Sequence, residues 1–236
     1  MDLNLTDKIF VITGGTQGIG EAITTRIAEE GGIPVCIGLD DAHGPALASN
    51  LHERGLSCHF IPEDLTQEGS CKLVVSKILK GYGNIHGLIN NFGINDGIGL
   101  EHGSPEAFKN SVYRNLMHVY EMAHFALPSL KNTRGSIVNI GSKTAVTGQG
   151  GTSGYTAAKG GILSLTREWA VELLKYGIRV NAVIPAEVWT PLYERWIQRF
   201  PNPQATLEEI TQRIPLEKRM TTTKEIADTV LFLLSE

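Results

Sequence analysis

Lys8-Ile-Phe-Val-Ile-Thr13, Gly14-Gly-Thr-Gln-Gly-Ile-Gly20 and Glu21-Ala-Ile-Thr-Thr-Arg-Ile-Ala-Glu-Glu30 follow one another without a break near the start of the chain. The first is a short β-rich apolar run of the kind buried on both faces of a sheet. The last has a helical period and is stopped by Gly31-Gly32. A glycine turn between a strand and a helix lets backbone amides approach a pyrophosphate, whose charge the helix N-terminus favours. A helix start that needs only a tight turn would use similar glycines, so the strand–turn–helix context gives the motif its meaning. The spacing, with glycines at 14, 18 and 20, is looser than Gly-x-Gly-x-x-Gly.

The same alternation runs through the rest of the chain. Ile33 to Leu39 reads as a second strand closed by Asp40-Asp41, Leu47 to Arg54 as a helix, and Ser57 to Ile61 as a third strand ending near Asp64. Helix 71–79, strand 86–90, a long helix opened by Pro105 and running to about Leu130, and strand 135–140 come next. A helix over 154–175, a sixth strand over 178–184 and three helical pieces from Pro191 onward complete the pattern. Six strands alternating with helices predict an α/β fold, a doubly wound parallel sheet of the Rossmann type in strand order 3-2-1-4-5-6. With no linker or repeat, residues 1–236 read as a single domain, with substrate loops and helices at about 186–215 built into it. Ligands of such sheets bind beyond the carboxyl ends of the strands. Gly14, Asp40, Asp64, Asn91, Ser142 and Pro185 all fall there. Asp40 lies twenty residues beyond Gly20, where a carboxylate can accept hydrogen bonds from an adenosine ribose. No Arg or Lys lies between Leu39 and His43 to attract a 2′-phosphate, which favours NAD over NADP.

Composition sets the outer bounds. The chain has 236 residues and a net charge of -4, with no pull toward nucleic acid or an anionic membrane. Its polar start, Met-Asp-Leu-Asn-Leu-Thr-Asp-Lys, has no signal core, and no apolar run approaches a membrane span. Cys36, Cys58 and Cys71 are odd in number and lack zinc spacing, so they read as reduced thiols of a cytoplasmic protein with no metal.

The chemistry concentrates in Ser142-Lys-Thr-Ala-Val-Thr-Gly-Gln-Gly-Gly-Thr-Ser-Gly-Tyr155-Thr-Ala-Ala-Lys159. Tyr155 and Lys159 are four apart and share one helix face. Ser142 lies thirteen residues before Tyr155, with a Gly- and Thr-rich loop between. As a base at neutral pH, a free tyrosine is weak by about three pKa units, or about 4 kcal/mol. One positive charge about 4 Å away offers a similar amount at an effective dielectric of about 20. Lys159 can therefore activate Tyr155, while Ser142 holds the substrate oxygen.

Taken together, these motifs resemble those of the short-chain dehydrogenase/reductase family nearly end to end. Thr13 to Gly20 is similar to its glycine motif, Asn90-Asn91-Phe92-Gly93 to its Asn-Asn-Ala-Gly, and Ser142, Tyr155 and Lys159 to its Ser and Tyr-x-x-x-Lys. Pro185-Ala186 stands for its Pro-Gly. The resemblance implies a hydride-transferring oxidoreductase with the catalytic set Asn115, Ser142, Tyr155 and Lys159, Asn115 anchoring a water chain from Lys159 to solvent. It implies a nicotinamide cofactor, NAD with NADP as the alternative, held by Gly14, Thr16, Gln17, Gly18, Ile19 and Gly20 at the first turn. Asp64 and Leu65 would stand at the adenine, with Asp40 at the ribose. Asn91, Gly93, Tyr155 and Lys159 would flank the nicotinamide side, and Pro185, Val188 and Thr190 the carboxamide. Family members continue after the last helix into a seventh strand, whereas this sequence stops at Leu233-Leu-Ser-Glu236, so an omitted tail is expected.

Substrate choice falls to the loops 94–101, 143–151 and 187–196. Asn95, Lys143, Gln149 and Glu187, with Trp189 as a flat face, suit a polyhydroxylated substrate beside Ser142 and Tyr155, because unpaired buried polar groups are costly. Asp96, Glu101 and Arg195 are expected to face water. Ile94-Asn-Asp-Gly-Ile-Gly-Leu, Ser142 to Gln149 and Ala182 to Val188 resemble the loops of bacterial L-fucose dehydrogenases within the family. That resemblance implies oxidation of an anomeric hydroxyl to a lactone, in a homo-oligomer, dimer or tetramer. Other readings are a 3-oxoacyl, polyol or hydroxysteroid enzyme of the same family, or a non-catalytic NAD-binding regulator. Ala157, Ala158, Gly160 and Gly161 permit close helix packing, against a second subunit or against the chain's own sheet.

Overall fold

A computed structural model describes residues 2–39 and 42–236; Asp40, expected at the ribose, lies outside the described residues. Strands β1 (Ile9–Thr13), β2 (Ile33–Gly38), β3 (His59–Pro62), β4 (Gly87–Asn90), β5 (Ser136–Ile140) and β6 (Arg179–Val183) alternate with helices. These are α1 (Gly18–Glu29), α2 (His43–Glu53), α3 (Ser70–Tyr82), α4 (Pro105–Thr133) and α5 (Ser153–Glu172), followed after β6 by α6 (Pro191–Ile197), α7 (Pro203–Gln212) and α8 (Thr223–Leu234). The strands form one parallel sheet in the order β3-β2-β1-β4-β5-β6, the doubly wound Rossmann order expected from the sequence. No seventh strand pairs with β6 among the described residues.

Alternation along each strand divides the core. Ile9 and Val11 of β1, with Leu88 and Ile137, face a layer made by α3, α4 and α5. Phe10 and Ile12, with Ile89, Val138 and Ile140, face α1 and α8 through Ile23, Ile27, Ile226 and Val230. Every residue of β1, β4 and β5 is buried, as strands covered on both faces must be.

Element boundaries differ from the sequence reading where local chemistry hides them. Helix α2 begins at His43 rather than Leu47, because Pro45 sits in its first turn, where a missing N–H does no harm. Helix α5 ends at Glu172, and Leu174–Tyr176 tightens into a 3-10 turn that Gly177 closes at φ 72°. Strand β3 is displaced toward Asp64 and spans His59–Pro62.

The turn after β1 sets the tightest steric demand. Gly14 has φ 62°, and a Cβ on Gly20 would lie 1.9 Å from the Gly14 carbonyl oxygen and 2.7 Å from Asn91 Nδ2. A Cβ on Gly81, late in α3, would meet nothing within 4 Å. Gly20→Ala should therefore lower stability by at least about 1–3 kcal/mol through overpacking. Gly81→Ala should raise it by about 0.5–1 kcal/mol through chain entropy. Urea midpoints of the two variants check both signs.

Candidate active site

A cleft of about 490 Å³ opens beyond the carboxyl ends of β1, β4, β5 and β6. Its two central strand exits are locked together. Asn91 Nδ2 donates to Thr13 O at 3.1 Å and to Gly14 O at 2.9 Å, while Thr13 Oγ1 accepts from Asn91 N and Phe92 N. On the neighbouring side, Gly141 N donates to Val183 O and Lys143 N to Pro185 O, both at 2.8 Å, joining the exits of β5 and β6.

Ser142 leaves β5 in extended conformation and opens a 3-10 turn over Lys143–Ala145. Its Oγ accepts from Thr144 N at 3.3 Å and from Thr144 Oγ1 at 3.1 Å. The Ser142 hydroxyl also bonds the Tyr155 phenol. Burial pushes the Tyr155 phenol up, and the Ser142 hydrogen bond pulls against it. Lys159, 2 % exposed, lies below the ring with Nζ 5.6 Å from its centroid and donating to Ile140 O at 2.7 Å. Burial draws its ammonium down to about 8. The three groups expected at one point are thus together. Burial outweighs the Ser142 bond, so the phenol remains above its ordinary range in the protein alone.

Asn115 is fully buried on α4 and bonded to protein at both ends of its amide: Oδ1 accepts from Ile94 N at 2.7 Å and Nδ2 donates to Ser111 O at 3.0 Å. With Ser111, which donates to Asp96 Oδ1 at 2.8 Å, it fastens the loop after β4. Asp96 is therefore a loop anchor rather than the solvated charge expected. Behind the cleft, Asn90 Nδ2 donates to Asn139 Oδ1 at 2.8 Å, Asn139 Nδ2 to Thr166 Oγ1 at 2.9 Å, and Thr166 Oγ1 to Ile162 O at 2.8 Å. This polar chain joins β4, β5 and α5.

The nicotinamide dinucleotide implied by the sequence fits these residues. Helix α1 starts at Gly18 without a side-chain cap, so its first amides are available to an anion. Gly14, Thr16, Gln17, Gly18 and Ile19 line the cleft, as do Asn91, Gly93, Tyr155, Lys159, Pro185, Val188 and Thr190. Gly20 stands behind them as the packing glycine. Asp64 and Leu65 line a small side recess with Gly38, Leu39 and Phe92. Burial works to raise the Asp64 carboxyl, but hydrogen bonds from Thr66 and Gln67 win and hold it low.

The expected substrate residues are more dispersed. Ser142 and Tyr155 line the cleft, whereas Asn95, Lys143, Gln149 and Glu187 do not. Asn95 accepts from Gly97 N within its own loop, and Gln149 is exposed. Lys143 and Glu187 pair with each other beside the rim. Trp189 faces a second cavity between α1, α6 and α8. In their place the wall carries Ile94, Ala186, Leu192, Tyr193 and Arg195, the last exposed as expected but at the edge of the cleft. Burial, and then the Glu187 carboxylate, push the Tyr193 phenol up to about 12. Only the helical register of Pro191–Ile197 brings 192, 193 and 195 to the cleft, and no motif marks it. Of the small-residue stretch of α5, Gly161 packs on the chain's own α4 rather than on the sheet, a Cβ there lying 3.1 Å from Leu116 Cδ2, while Gly160 meets open space and Ala157 is exposed.

Comparison with known proteins agrees with this geometry. The family model for short chain dehydrogenase matches residues 8–199. The L-fucose dehydrogenase of Rattus norvegicus is 34% identical over 230 residues, covering 97% of this chain and 83% of that one. That of Mus musculus is 36% identical over 230 residues, covering 97% and 82%. Both are mammalian, which corrects the expectation of a bacterial subgroup. The crystal structure of Cj0485 dehydrogenase matches with a TM-score of 0.93 at 43% identity, covering all of this chain and 90% of that one. A glycine turn fit for a dinucleotide, a Ser–Tyr–Lys cluster at its far end and a family match over most of the length make this chain a member of the short-chain dehydrogenase family, an oxidoreductase of CH–OH groups that works with a nicotinamide cofactor.

Proposed function

We propose that the protein oxidises the anomeric hydroxyl of a pyranose, L-fucose or a related aldose, to a lactone with NAD as acceptor. The observation that carries the chemistry is the convergence of Ser142 and Tyr155 above the buried Lys159. Similarity to L-fucose dehydrogenases over 97% of the chain supports the sugar. When bound, the nicotinamide ring accepts the hydride. Ser142 donates to the substrate oxygen and aligns it, and Tyr155 removes the hydroxyl proton. Lys159 keeps positive charge beneath the phenol, favouring its ionised form. Asn115 positions the Ile94 loop that closes one side of the site. At the rim, Tyr193 and Arg195 offer a flat face and a fork of donors to ring hydroxyls, and the Lys143–Glu187 pair stands beside them. NAD is favoured because Leu39, 59% exposed at the end of β2, is followed by an acidic pair with no cation to hold a 2′-phosphate. Exposed Phe108, Tyr113, Met117 and Tyr120 on α4 support assembly into a dimer or tetramer.

Tyr155→Phe should cut turnover by about 10²–10⁴-fold, the usual worth of a general base, and leave NADH affinity within about threefold. Turnover near the parent value would refute the assignment; NADH fluorescence titration gives the affinity. Ser142→Ala removes the hydrogen bond that lowers the phenol pKa. The rising limb of kcat against pH should therefore move to higher pH, which a pH series on the best sugar reads. In a panel of L-fucose, other aldoses, polyols, a hydroxysteroid and a 3-hydroxyacyl thioester, NADH formation should be fastest with a 6-deoxy or related aldose, and faster with NAD than NADP. A preference for the thioester would overturn the sugar reading.

A further inference from the structure

His118 sits on α4, one turn beyond Asn115, and is 1 % exposed. Its ring packs edge-on against Phe92 at 4.9 Å between centroids and 63° between planes. Neither ring nitrogen has a hydrogen-bond partner among the described residues, and the one other buried side-chain atom in that position is Asn90 Oδ1. These orphans share one layer. Asn90 follows Leu88 at a two-residue interval on β4 and so faces α4 and α5, where its amide nitrogen already reaches Asn139. Asn90 is also only two residues from the Phe92 that packs on His118. Leaving a buried donor and acceptor unpaired is costly, and proteins satisfy such groups with internal water that bonds about three polar partners.

A third candidate partner faces the same layer. Lys159 Nζ gives one N–H to Ile140 O, and an ammonium has three to give. The ammonium acts on His118 through the interior: burial and then the Lys159 charge hold the imidazole neutral, down to about 3. A neutral imidazole offers one donor and one acceptor, so it can orient a water toward a cation without adding charge. Among the described residues Lys159 is the one charge that acts on it. On α4, Glu121 turns to Cys71 of α3 and Arg114 to Asp96; α5 contributes only Lys159, and β4 and β5 carry no titratable side chain.

We propose that His118 and Asn90 hold an internal water that solvates the Lys159 ammonium, making His118 a positioning residue that sets how much positive charge stands beneath Tyr155. It acts through Lys159 and does not line the cleft. The inference rests on the reading of Tyr155 as base and Lys159 as its cation.

The test compares His118→Leu with His118→Gln in the full chain. Without the water, the buried ammonium is harder to keep and loses its proton at lower pH, so the phenolate is less stabilised. In His118→Leu the rising limb of kcat against pH should move up by about one unit, a loss of about tenfold at neutral pH, with KM within about twofold. His118→Gln, which keeps a donor and an acceptor, should restore the parent profile. A role limited to packing would change melting temperature and leave the pH profile in place, and that result overturns the inference. Should His118→Leu not fold, a crystal structure of the parent decides: water within about 3.2 Å of a His118 nitrogen and of Asn90 Oδ1 supports the proposal, and a dry site overturns it. The two levels separate cleanly. Activity in Tyr155→Phe would refute the catalytic reading, whereas an inactive Tyr155→Phe beside an unshifted His118→Leu refutes only this one.

Discussion

Two central strands end side by side, and the amide of Asn91 ties the second to the backbone just beyond the first. That bond requires Asn91 Nδ2 to reach Gly14 O, and the same oxygen lies where a Cβ on Gly20 would stand. The start of α1, the glycine turn and the Asn91–Phe92 segment are therefore one packed unit. Everything that faces the cleft is placed relative to it: the amides of α1 on one side, and on the other the loop that Asn115 fastens through Ile94 N. The cleft is an outcome of strand order, since β1 and β4 diverge in their connections at this point.

Against that frame the site holds a deliberate imbalance of charge. Lys159 is nearly sealed from solvent and anchored to a backbone carbonyl, which weakens its hold on a proton. Tyr155, one turn away, is disfavoured as an anion by the same burial. Only the Ser142 hydroxyl, itself fixed by Thr144, works the other way. In the protein alone burial outweighs the Ser142 bond, and the phenol stands above its ordinary range.

Much of this was legible in the chain. Short continuous apolar runs, glycine stops and a fourfold spacing are local features, so the sheet order, α5 and the Ser142–Tyr155–Lys159 cluster could be read directly. The substrate wall was not. Tyr193 and Arg195 reach the cleft because α6 turns them there, while Lys143 and Glu187 neutralise each other at the rim, and neither fact is written in residue type. Asp96 showed the same limit: an acidic loop residue looks solvated until Ser111 is found donating to it. His118 has no signature in the sequence, because a histidine inside an amphipathic helix is ordinary until its two nitrogens are found without protein partners among the described residues.

The polar chain from Asn90 through Asn139 to Thr166 has a mechanical meaning as well. Helix α5 rests on the sheet through Ile162 and Trp169, and apolar contacts of that kind resist separation far better than they resist sliding. Displacing the helix along its axis by one turn would strip Asn139 of its acceptor at Thr166 in the dry interior. The bond works as a register pin. It fixes the axial position of Tyr155 and Lys159, about three and two turns away on the same rod, with a tolerance that oily packing could not provide.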